Sequence, residues 1–598
     1  MKFLKYIYLL SFSIILSCNE SNSEDVNSTF GEIREAKGYY QEGDKKIKLY
    51  RGGVFRLNES ASFKNLFPPS INHAISSRIA LQIYEGLVKL NQRTLKVEPL
   101  LAKSIDMNDD GTVYTFKLRD NVFFHDDPCF NNNTGRKLTA NDFKFCFDLI
   151  CSNVEGNRSS NIFIDRILGA REHFDLTSDG VFPKSGVSGI EVVDDYTLKI
   201  TLIQPCSFFL KTLAHAQCGV FPEEAYKKYG MEMRSKTTGT GPFILKDLIE
   251  GNELRLVRNE KYWDFDENGN QLPYLDVIKM TFNADKKIEL TNFKKSNLDM
   301  VYQLPVDQLK EVLVSLDSAK NGGNPEFIYQ SKPNGLSSVF YCFNMEKPIF
   351  QDLRIRKAFN LAIDRRRITK YSLQGETSEA LGGLVPSFGN YDNSNVQGFD
   401  YDPKKAQELL AEAGYIGGEG FPELSLEISE NNFLNPIVAE SIQSMLKENL
   451  GIKIKIDYTS LTVLIERFSS GVSDFWGTIW LADYPDPQNF LQLYESSTIP
   501  SKEFNENGET ILKPSYTNPS RYKNKDFDYF YNKAVSATSD SVALKNYYKA
   551  DSVLVSDAAF IPIYYEHYIR LLQNNVQGFP QNSMEYRDFT RVFLSPKK

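Results

Sequence analysis

Two segments in the first half of the chain alternate apolar and polar residues with the period of two that is typical of half-buried β-strands. The first, residues 113–119, follows the turn-forming sequence Asn-Asp-Asp-Gly at 108–111. The second, residues 196–202, follows the acidic pair Asp194-Asp195. Because each segment begins directly after a turn, we predict antiparallel strands in this part of the chain.

A helix is predicted between these two strands. Thr139 can cap its first turn, and Asp142 stands three residues later at the spacing of a capping box. The apolar residues that follow fall on one helical face: Phe143, Phe147 and Ile150. The pattern therefore indicates an amphipathic helix that begins next to Thr139.

The second half of the chain alternates strands with helices. Asn435 and Pro436 supply an N-cap and first-turn pair for a helix that Gly451 ends. Its apolar face carries Val438, Ile442 and Met445. The predicted order is a strand at 424–428, that helix, a strand through Ile452, Ile454 and Ile456, a helix at 461–468, and a strand that ends at Ala482. Strands and helices in this alternation imply a parallel sheet with right-handed crossovers.

Chain length and the change of pattern indicate more than one domain. The chain has 598 residues, which exceeds the roughly 250–300 residues at which single hydrophobic cores stop growing. Hydrophobic residues make up 41% of it, which is enough for large cores. We therefore predict an α/β protein in which an antiparallel part and a parallel part belong to separate domains.

The sequence Trp-Leu-Ala-Asp-Tyr-Pro-Asp-Pro at 480–487 follows the last predicted strand. The run before it, residues 474–479, is apolar and partly β-branched, which is typical of a mostly buried strand. In open α/β sheets, ligands bind beyond the carboxyl ends of the strands. Asp483 is therefore predicted at the mouth of a pocket with Trp480 as an apolar wall. A desolvated carboxylate there would require a cation, such as the ammonium group of a ligand.

Two interpretations of this segment stay open. It can instead be a surface loop stiffened by Pro485 and Pro487, with both of its acids solvated. Asp486 lies between the two prolines and is predicted to form a turn rather than to bind a ligand.

Charge and motif content exclude several classes of function. The formal net charge is −8 and no basic cluster is present, so nucleic-acid binding is not expected. The five histidines are isolated, and no H-E-x-x-H, nucleophile elbow or P-loop sequence occurs. We predict no catalytic residue and no cofactor, and a periplasmic hydrolase is a remote alternative.

The cysteines do not indicate a metal or redox site, since none of the seven has C-x-x-C spacing. Sequence proximity allows disulfides between Cys206 and Cys218 and between Cys129 and Cys146 or Cys151. Buried free thiols are an equal alternative.

Two acidic loops resemble the first half of an EF-hand calcium loop, residues 106–111 and 264–269. Position 12 of such a loop requires a bidentate glutamate, but Lys117 and Leu275 occupy it here. We interpret both as Asp/Asn/Gly turns and predict no metal site.

The N-terminus has the layout of a secretory signal. Positive residues precede an apolar run at 6–16 that is too short to span a membrane. The Leu-Ser-Cys sequence that ends at Cys18 resembles a bacterial lipobox, which implies cleavage before Cys18 and lipidation of it. An ordinary signal peptide that leaves Cys18 free is the alternative. We predict a signal peptide at 1–17 and, at 18–46, a lipidated cysteine with a flexible polar tether.

Short sequences along most of the mature chain together resemble one known family. They are Tyr84-Glu85-Gly86-Leu87, Pro99-Leu100-Leu101-Ala102-Lys103-Ser104, Asp110-Gly111, and the segments at 114–119, 122–126, 138–142, 239–243, 259–263, 354–360, 363–365, 406–415 and 480–487. In this order they resemble the signature of family 5 extracellular solute-binding proteins, the oligopeptide- and dipeptide-binding lipoproteins of ABC importers.

The resemblance implies a two-lobed α/β fold of the periplasmic-binding-protein type (class II, type C cluster), with an extra α+β domain packed on the first lobe. The implied boundaries are 47–78, 186–280 and 560–598 for lobe I, 79–185 for the extra domain, and 281–559 for lobe II. The lobes are expected to close over a ligand by hinge motion.

The resemblance also implies a function. In peptide-binding members, the aspartate at the position of Asp483 pairs with the peptide's α-ammonium group. Backbone at the positions of Trp480, Leu481 and Ala482 bonds the extended peptide as an added strand. We therefore predict a periplasmic, lipid-anchored and monomeric protein that captures peptides and delivers them to an ABC permease in the inner membrane.

Other ligands and roles remain as alternatives. The same fold can bind an oligosaccharide, a metal chelate or an amino-acid conjugate. It can also serve a surface adhesin or a signalling lipoprotein.

Overall fold

A computed structural model describes residues 31–304, 312, 314, 327–373, 377–430, 434–504 and 510–597. The predicted signal peptide at 1–17 and Cys18 lie outside these residues. Across the described ranges, no helix combines the length and the apolar character needed to cross a membrane.

The first half of the chain is rich in strands. In order they are β1 Arg34–Glu42, β2 Lys45–Arg51, β3 Val54–Glu59, β4 Val88–Leu90, β5 Val97–Pro99, β6 Ala102–Met107, β7 Val113–Leu118, β8 Ile190–Asp194, β9 Thr197–Thr201, β10 Phe243–Ile249, β11 Glu253–Arg258 and β12 Val277–Phe282. Its longer helices are α1 Ala74–Ile83, α2 Ala140–Ile150, α3 Ala170–Ser178 and α4 Glu223–Tyr229.

The second half mixes strands with longer helices. The strands are β13 Met300–Tyr302, β14 Phe327–Lys332, β15 Ser337–Phe343, β16 Thr377–Glu379, β17 Leu424–Ser429, β18 Ile454–Thr459, β19 Phe475–Leu481, β20 Glu503–Phe504, β21 Thr510–Ile511, β22 Phe560–Glu566, β23 Tyr568–Gln573, β24 Val576–Gln577 and β25 Phe593–Leu594. The longer helices are α5 Lys286–Lys294, α6 Leu353–Ala362, α7 Pro403–Glu412, α8 Leu434–Leu450, α9 Leu461–Ser469, α10 Lys525–Val535 and α11 Asp540–Ser556.

The helix predicted from the capping-box spacing is confirmed as α2. The Thr139 backbone N–H donates to the Asp142 carboxylate at 2.8 Å, and the reciprocal bond of the capping box is also present. The predicted apolar face is buried in the first hydrophobic core. A purely local sequence signal therefore places this helix correctly.

Two four-stranded sheets organise the first half. In one, of order β10-β11-β12-β3, strand β3 pairs in parallel with β12 although more than 200 residues separate them. The other, of order β6-β7-β9-β8, is antiparallel and contains both strands predicted from the alternating segments. One large core connects the two sheets and includes Phe55 and Leu57 of β3.

The boundary predicted for the extra domain at residue 185 falls within the span of one sheet. Strands β8 and β9 lie after that boundary but complete the sheet that β6 and β7 begin. Tyr114 on β7, for example, is paired with Ile200 on β9. Because backbone hydrogen bonds hold a sheet together as one unit, β8 and β9 belong to the same structural unit as β6 and β7.

A six-stranded sheet of order β16-β22-β15-β19-β17-β18 forms the second lobe. The predicted parallel arrangement is confirmed for β17, β18 and β19. The sheet as a whole is mixed, because β15 runs antiparallel to both β19 and β22. All residues of β15 are buried, and separate hydrophobic cores cover the two faces of the sheet.

The boundary predicted between residues 559 and 560 lies directly before a strand of the second-lobe sheet. Strand β22 begins at Phe560 and pairs with β15 in the sheet of the second lobe. The next strand, β23, leaves that sheet and pairs instead with β13 and β14. The chain therefore changes sheets at His567, between two consecutive strands.

The predicted flexible tether does not extend to residue 46. Strands β1 and β2 form an antiparallel hairpin that begins at Arg34. Ala36 and Leu49 of this hairpin are buried in a small core with Tyr262 and Tyr274. Apolar residues within the polar stretch therefore fix the segment from Arg34 onward.

The cysteines and the acidic loops take structural roles. Within the described residues, all six cysteines after Cys18 are free thiols, and five of them are buried. In the loop at 264–269, the Asp266 carboxylate accepts hydrogen bonds from the backbone N–H groups of Asn268 and Asn270 and from the hydroxyl of Tyr274. Protein donors therefore occupy the oxygens that a calcium ion would require, in agreement with the predicted turn.

A buried charge network ties the C-terminal segment to the first sheet. Arg587 pairs with Glu59 at the end of β3 at 2.6 Å and with Glu585 at 3.1 Å. Only about 1% of the Arg587 side chain is exposed. Removing one partner of such a network leaves a buried charge uncompensated.

We predict that Arg587→Met destabilises the protein by about 3–5 kcal/mol. The free energy of unfolding, measured by guanidinium denaturation, checks this value. Arg591→Met is the matched control, because the Arg591–Glu267 pair lies at the surface and its loss should amount to less than about 1 kcal/mol. Equal effects of the two substitutions would contradict the assigned role of Arg587.

Candidate ligand-binding site

The strand predicted to lead to the site is β19, and its two halves differ in burial. Phe475 and Trp476 at its start are buried. Towards its end, Ile479 is 40% exposed and Leu481 is 39% exposed. The predicted position of the strand is confirmed, but the expectation that it is mostly buried holds only for its first residues. Ile479 and Leu481 lie on the same face of the strand, because side chains alternate along it.

One edge of β19 lacks a partner near its carboxyl end. The backbone N–H of Ala482 donates to the carbonyl of Leu336 at 2.9 Å, which continues the pairing with β15. Residues of an antiparallel pair alternate between bonding the partner and facing away from it. The backbone groups of Ile479 and Leu481 therefore face away from β15. On that side, among the described residues, β17 pairs only with Phe475 and Trp476.

Pairing with β15 reduces the number of predicted residues whose backbone groups can contact a ligand. The N–H of Ala482 already bonds Leu336 and is not available to a ligand. Trp480 faces β15 by the same alternation. Of the three predicted residues, Leu481 is therefore the one whose backbone lies on the unpaired edge.

Asp483 follows this edge directly and is exposed, although both of its neighbours in sequence are buried. Its carboxylate forms no ion pair with any residue in the described part of the chain. Asp483 thus lies just beyond the end of β19 with a solvent-exposed side chain, and its role as the partner of a ligand's ammonium group stays a prediction.

Asn489 orders the turn that carries Asp483. Its side-chain oxygen accepts hydrogen bonds from the indole N–H of Trp480 at 3.0 Å and from the backbone N–H of Asp483 at 3.1 Å. Only 1% of Asn489 is exposed. The predicted apolar wall and the predicted acid are thus held at a fixed separation by one buried amide.

Asp486 is the buried acid of the segment. Its carboxylate accepts a hydrogen bond from the backbone N–H of Gln488 at 2.9 Å, which confirms the predicted turn. It also pairs with Lys211 at 2.6 Å. Lys211 lies 275 residues away in sequence, so no local pattern could have indicated this ion pair. A buried carboxylate requires such a cation.

An aromatic contact strengthens the same junction. The rings of Tyr484 and Phe208 are stacked with their centroids 5.7 Å apart and their planes nearly parallel. The guanidinium group of Arg166 also lies over the Phe208 ring, 5.2 Å from the ring centroid. Tyr484 belongs to the large core of the first half, so the residues after β19 join the two main bodies of the protein.

His215 lies within electrostatic reach of Asp483. Burial lowers the pKa of His215, and the nearby charge of Asp483 opposes this shift only in part. Its Nδ1 atom accepts a hydrogen bond from the backbone N–H of Gln217 at 3.3 Å. Since the imidazole is neutral near pH 7, it does not neutralise the carboxylate of Asp483.

His215 also lines a small polar cavity that contains Glu85. The Glu85 carboxylate accepts hydrogen bonds from the hydroxyl groups of Thr240 and Tyr262 and from the indole N–H of Trp263. Burial nevertheless raises the pKa of the Glu85 carboxyl to about 7. The Glu85 carboxyl therefore titrates near neutral pH. It lies on the side of His215 that the first half of the chain forms.

The residues around β19 offer several kinds of contact to a ligand. No group of three or more histidine, cysteine, aspartate or glutamate side chains within the described ranges can hold a metal ion. What the site does offer is an unpaired strand edge, an exposed carboxylate and apolar surfaces on both sides of β19.

Comparisons with known proteins agree with the motif pattern. Residues 96–502 match the model of the bacterial extracellular solute-binding proteins, family 5 (middle). Heme-binding protein A of Haemophilus influenzae is 26% identical over 540 residues, which cover 86% of this chain and 87% of that protein. The periplasmic oligopeptide-binding protein OppA of Escherichia coli is 25% identical over 544 residues, or 89% of this chain and 91% of that protein.

A solved structure shows the same fold. The periplasmic binding protein DppA of Helicobacter pylori, in complex with the peptide STSA, superposes with a TM-score of 0.73 at 23% sequence identity. The match covers 91% of this chain and 98% of that one. The two-lobed α/β architecture expected from the sequence is thereby confirmed.

We predict that Glu85 makes stability depend on pH. The unfolded carboxyl ionises near 4.5 but the folded one only near 7. The folded state therefore holds a proton that the unfolded state loses, and stability falls as pH rises through this window. The free energy of unfolding should fall by about 3 kcal/mol relative to Glu85→Gln between pH 4.5 and 7.5.

Denaturation curves of the two proteins at several pH values measure this difference. Glu172→Gln, at an exposed position, is the control and should give a difference from the unaltered protein that does not change with pH. A wild-type curve parallel to that of Glu85→Gln would contradict the assignment.

Proposed function

The chain belongs to the family 5 bacterial extracellular solute-binding proteins, which are transport binding proteins rather than enzymes, and from this premise we propose that it captures extended peptides for an ABC importer. The peptide would lie between the two lobes, and a hinge motion would close them over it. The closed, loaded form would then be delivered to a permease in the inner membrane.

The observation that carries this proposal is the unpaired edge of β19 followed directly by an exposed carboxylate. A peptide backbone presents alternating N–H and C=O groups, and a free strand edge is the surface that pairs with them. The edge at Ile479 and Leu481 offers this pairing. Asp483 would then lie next to the peptide's first residue, at one end of the added strand.

Electrostatics favours a free amino terminus at this end. Asp483 forms no ion pair within the described residues, and the neighbouring His215 has a lowered pKa and is neutral. A peptide's α-ammonium group would supply the missing positive charge with up to three hydrogen-bond donors. Closure of the lobes would exclude water and strengthen this interaction.

Backbone pairing does not depend on the side chains of the peptide. Broad acceptance of sequences would follow wherever the surrounding space is roomy and hydrated. The relatives fit this role, since OppA of Escherichia coli is named for oligopeptide binding and the Helicobacter pylori structure contains a peptide.

We also propose that Cys18 is lipidated and that the protein is held at a membrane of the cell envelope through this anchor, facing the periplasm as a monomer. The Leu-Ser-Cys sequence after a short apolar run supports the anchor. The hairpin that begins at Arg34 leaves a polar segment of fewer than 20 residues to connect Cys18 to the folded part.

Binding of a short peptide with a free amino terminus should depend on Asp483. Asp483→Asn and N-acetylation of the peptide should each weaken binding by on the order of 10²-fold, because each removes one member of the ion pair. Titration calorimetry measures all four combinations of protein and peptide. The two changes together should weaken binding little more than either alone.

Asp526→Asn is the matched control, since Asp526 is an exposed acid of the same lobe. It should leave the affinity and the effect of acetylation unchanged. If the unaltered protein binds acetylated and free peptides equally well, Asp483 does not bind the peptide's amino terminus. If it binds neither but retains a different solute identified by mass spectrometry of the purified protein, the ligand is not a peptide.

Lipid anchoring predicts a change in partitioning. Cys18→Ser, expressed with its own signal sequence, should move from the detergent phase to the aqueous phase in a Triton X-114 separation, because the acyl chains are lost. Cys129→Ser should stay in the detergent phase. Equal partitioning of the Cys18→Ser variant and the unaltered protein would rule out an anchor at Cys18.

A further inference from the structure

A cavity lies beside the half of β19 that carries the proposed peptide site. Most of its lining surface is apolar, and the lining includes Phe340, Phe468, Trp476, Thr478, Trp480 and Leu493, together with the hydroxyl-bearing residues Tyr494, Tyr516 and Ser520. It leaves about 70 Å³ for the centres of water-sized groups. Since one water needs roughly 10–15 Å³ on this measure, the cavity has room for several atoms of a side chain. We name it the indole cavity.

Aromatic side chains form the walls of this cavity. Phe468 stacks on Trp476 with centroids 5.4 Å apart and forms one wall. The indole N–H of Trp476 is buried without a hydrogen-bond partner among the described residues. Water in an apolar space of this kind finds few partners, so an apolar group that displaced it would gain free energy.

The indole cavity extends to the unpaired edge of β19. Thr478 and Trp480 project from the same face of the strand, because side chains alternate along it. Phe468 belongs to α9, which packs against β17 on the side of the unpaired edge. The lining therefore combines residues of β15 and β19 with Phe468 from the helix on the side where a peptide strand would be added.

An added strand places alternate side chains on each face of the sheet. With its amino terminus at Asp483, the peptide would run antiparallel to β19 along Leu481 and Ile479. Its second or third side chain, according to register, would then lie on the face of Trp480 and Thr478. The residues on either side of it would point to the opposite face.

The geometry points to a selective subsite: the indole cavity takes one bulky apolar side chain of the bound peptide, at the second or the third position from its amino terminus. This inference rests on the proposed function and deepens it, since backbone pairing alone gives no preference among sequences. Burying a leucine or phenylalanine side chain in place of alanine should strengthen binding by on the order of 10- to 100-fold.

A peptide scan on the unaltered protein tests the subsite. Tetraalanine with a free amino terminus is compared by titration calorimetry with peptides that carry leucine, phenylalanine, lysine or aspartate at positions one to four. The expected result is tighter binding of leucine or phenylalanine at position two or three only. Lysine and aspartate at that same position should bind more weakly than alanine, because the lining is mostly apolar and contains no charged residue to pair with them.

A substitution that fills the cavity gives a second test. Thr478→Phe should reduce the ratio of alanine to leucine dissociation constants at the selective position to below about 3, since the new ring occupies the space that leucine would enter. Thr459→Phe is the matched control, because Thr459 ends the neighbouring strand β18 and is not among the residues that line the cavity. It should keep the ratio of the unaltered protein.

The outcomes separate the subsite from the function on which it rests. If the peptides bind but leucine and phenylalanine match alanine at every position, the subsite is wrong and peptide binding stands. A preference that persists in a folded Thr478→Phe variant places the selective pocket elsewhere and also overturns the inference. If none of the peptides binds, the proposed function fails and the subsite fails with it. The scan does not depend on whether Thr478→Phe folds.

Discussion

The unpaired part of the β19 edge, as seen among the described residues, is the constraint on which the rest of this structure depends. Backbone N–H and C=O groups need partners, and a sheet edge without them attracts other chains. Many proteins protect such edges with lysine, proline or a bulge. Residues 477–481 of β19 contain no lysine or proline. The sequence therefore leaves this edge unprotected, and a protein that binds extended peptide backbones can use the free N–H and C=O groups directly.

An open edge is useful only if the groups beside it stay in place. Ala482 and Tyr484 are buried on either side of exposed Asp483, and Asn489 bonds both Trp480 and Asp483. Farther along, the Asp486–Lys211 pair and the stacked rings of Tyr484 and Phe208 attach the segment to the other lobe. Such fixed geometry reduces the entropy that binding would otherwise lose. The two acids of the segment thus divide their roles between anchoring it and facing the ligand.

Local patterns in the sequence predicted the elements better than the domains. Helix α2, strand β19 and the parallel order of β17 to β19 follow from periodicity, capping residues and turns within about 15 residues of each other. The boundaries proposed at 185 and 559 both separate strands that share a sheet, because β9 and β22 pair with strands about 80 and 220 residues earlier in the chain. Lys211 could not be linked to Asp486 for the same reason. Asn489 is close in sequence, but a single asparagine carries no pattern that marks it as the organiser of a turn.

The two faces of β19 meet different surroundings, and this asymmetry bears on selectivity. Ile479 and Leu481 point to the face that is open to solvent, whereas Thr478 and Trp480 line a cavity with a mostly apolar surface. Pairing along the edge holds any peptide backbone in the same way, so it cannot distinguish one sequence from another. Differences in affinity must then arise where side chains leave the backbone. A peptide bound here would present neighbouring residues to water and to the cavity in turn, and one strand would combine general capture with selection at one position.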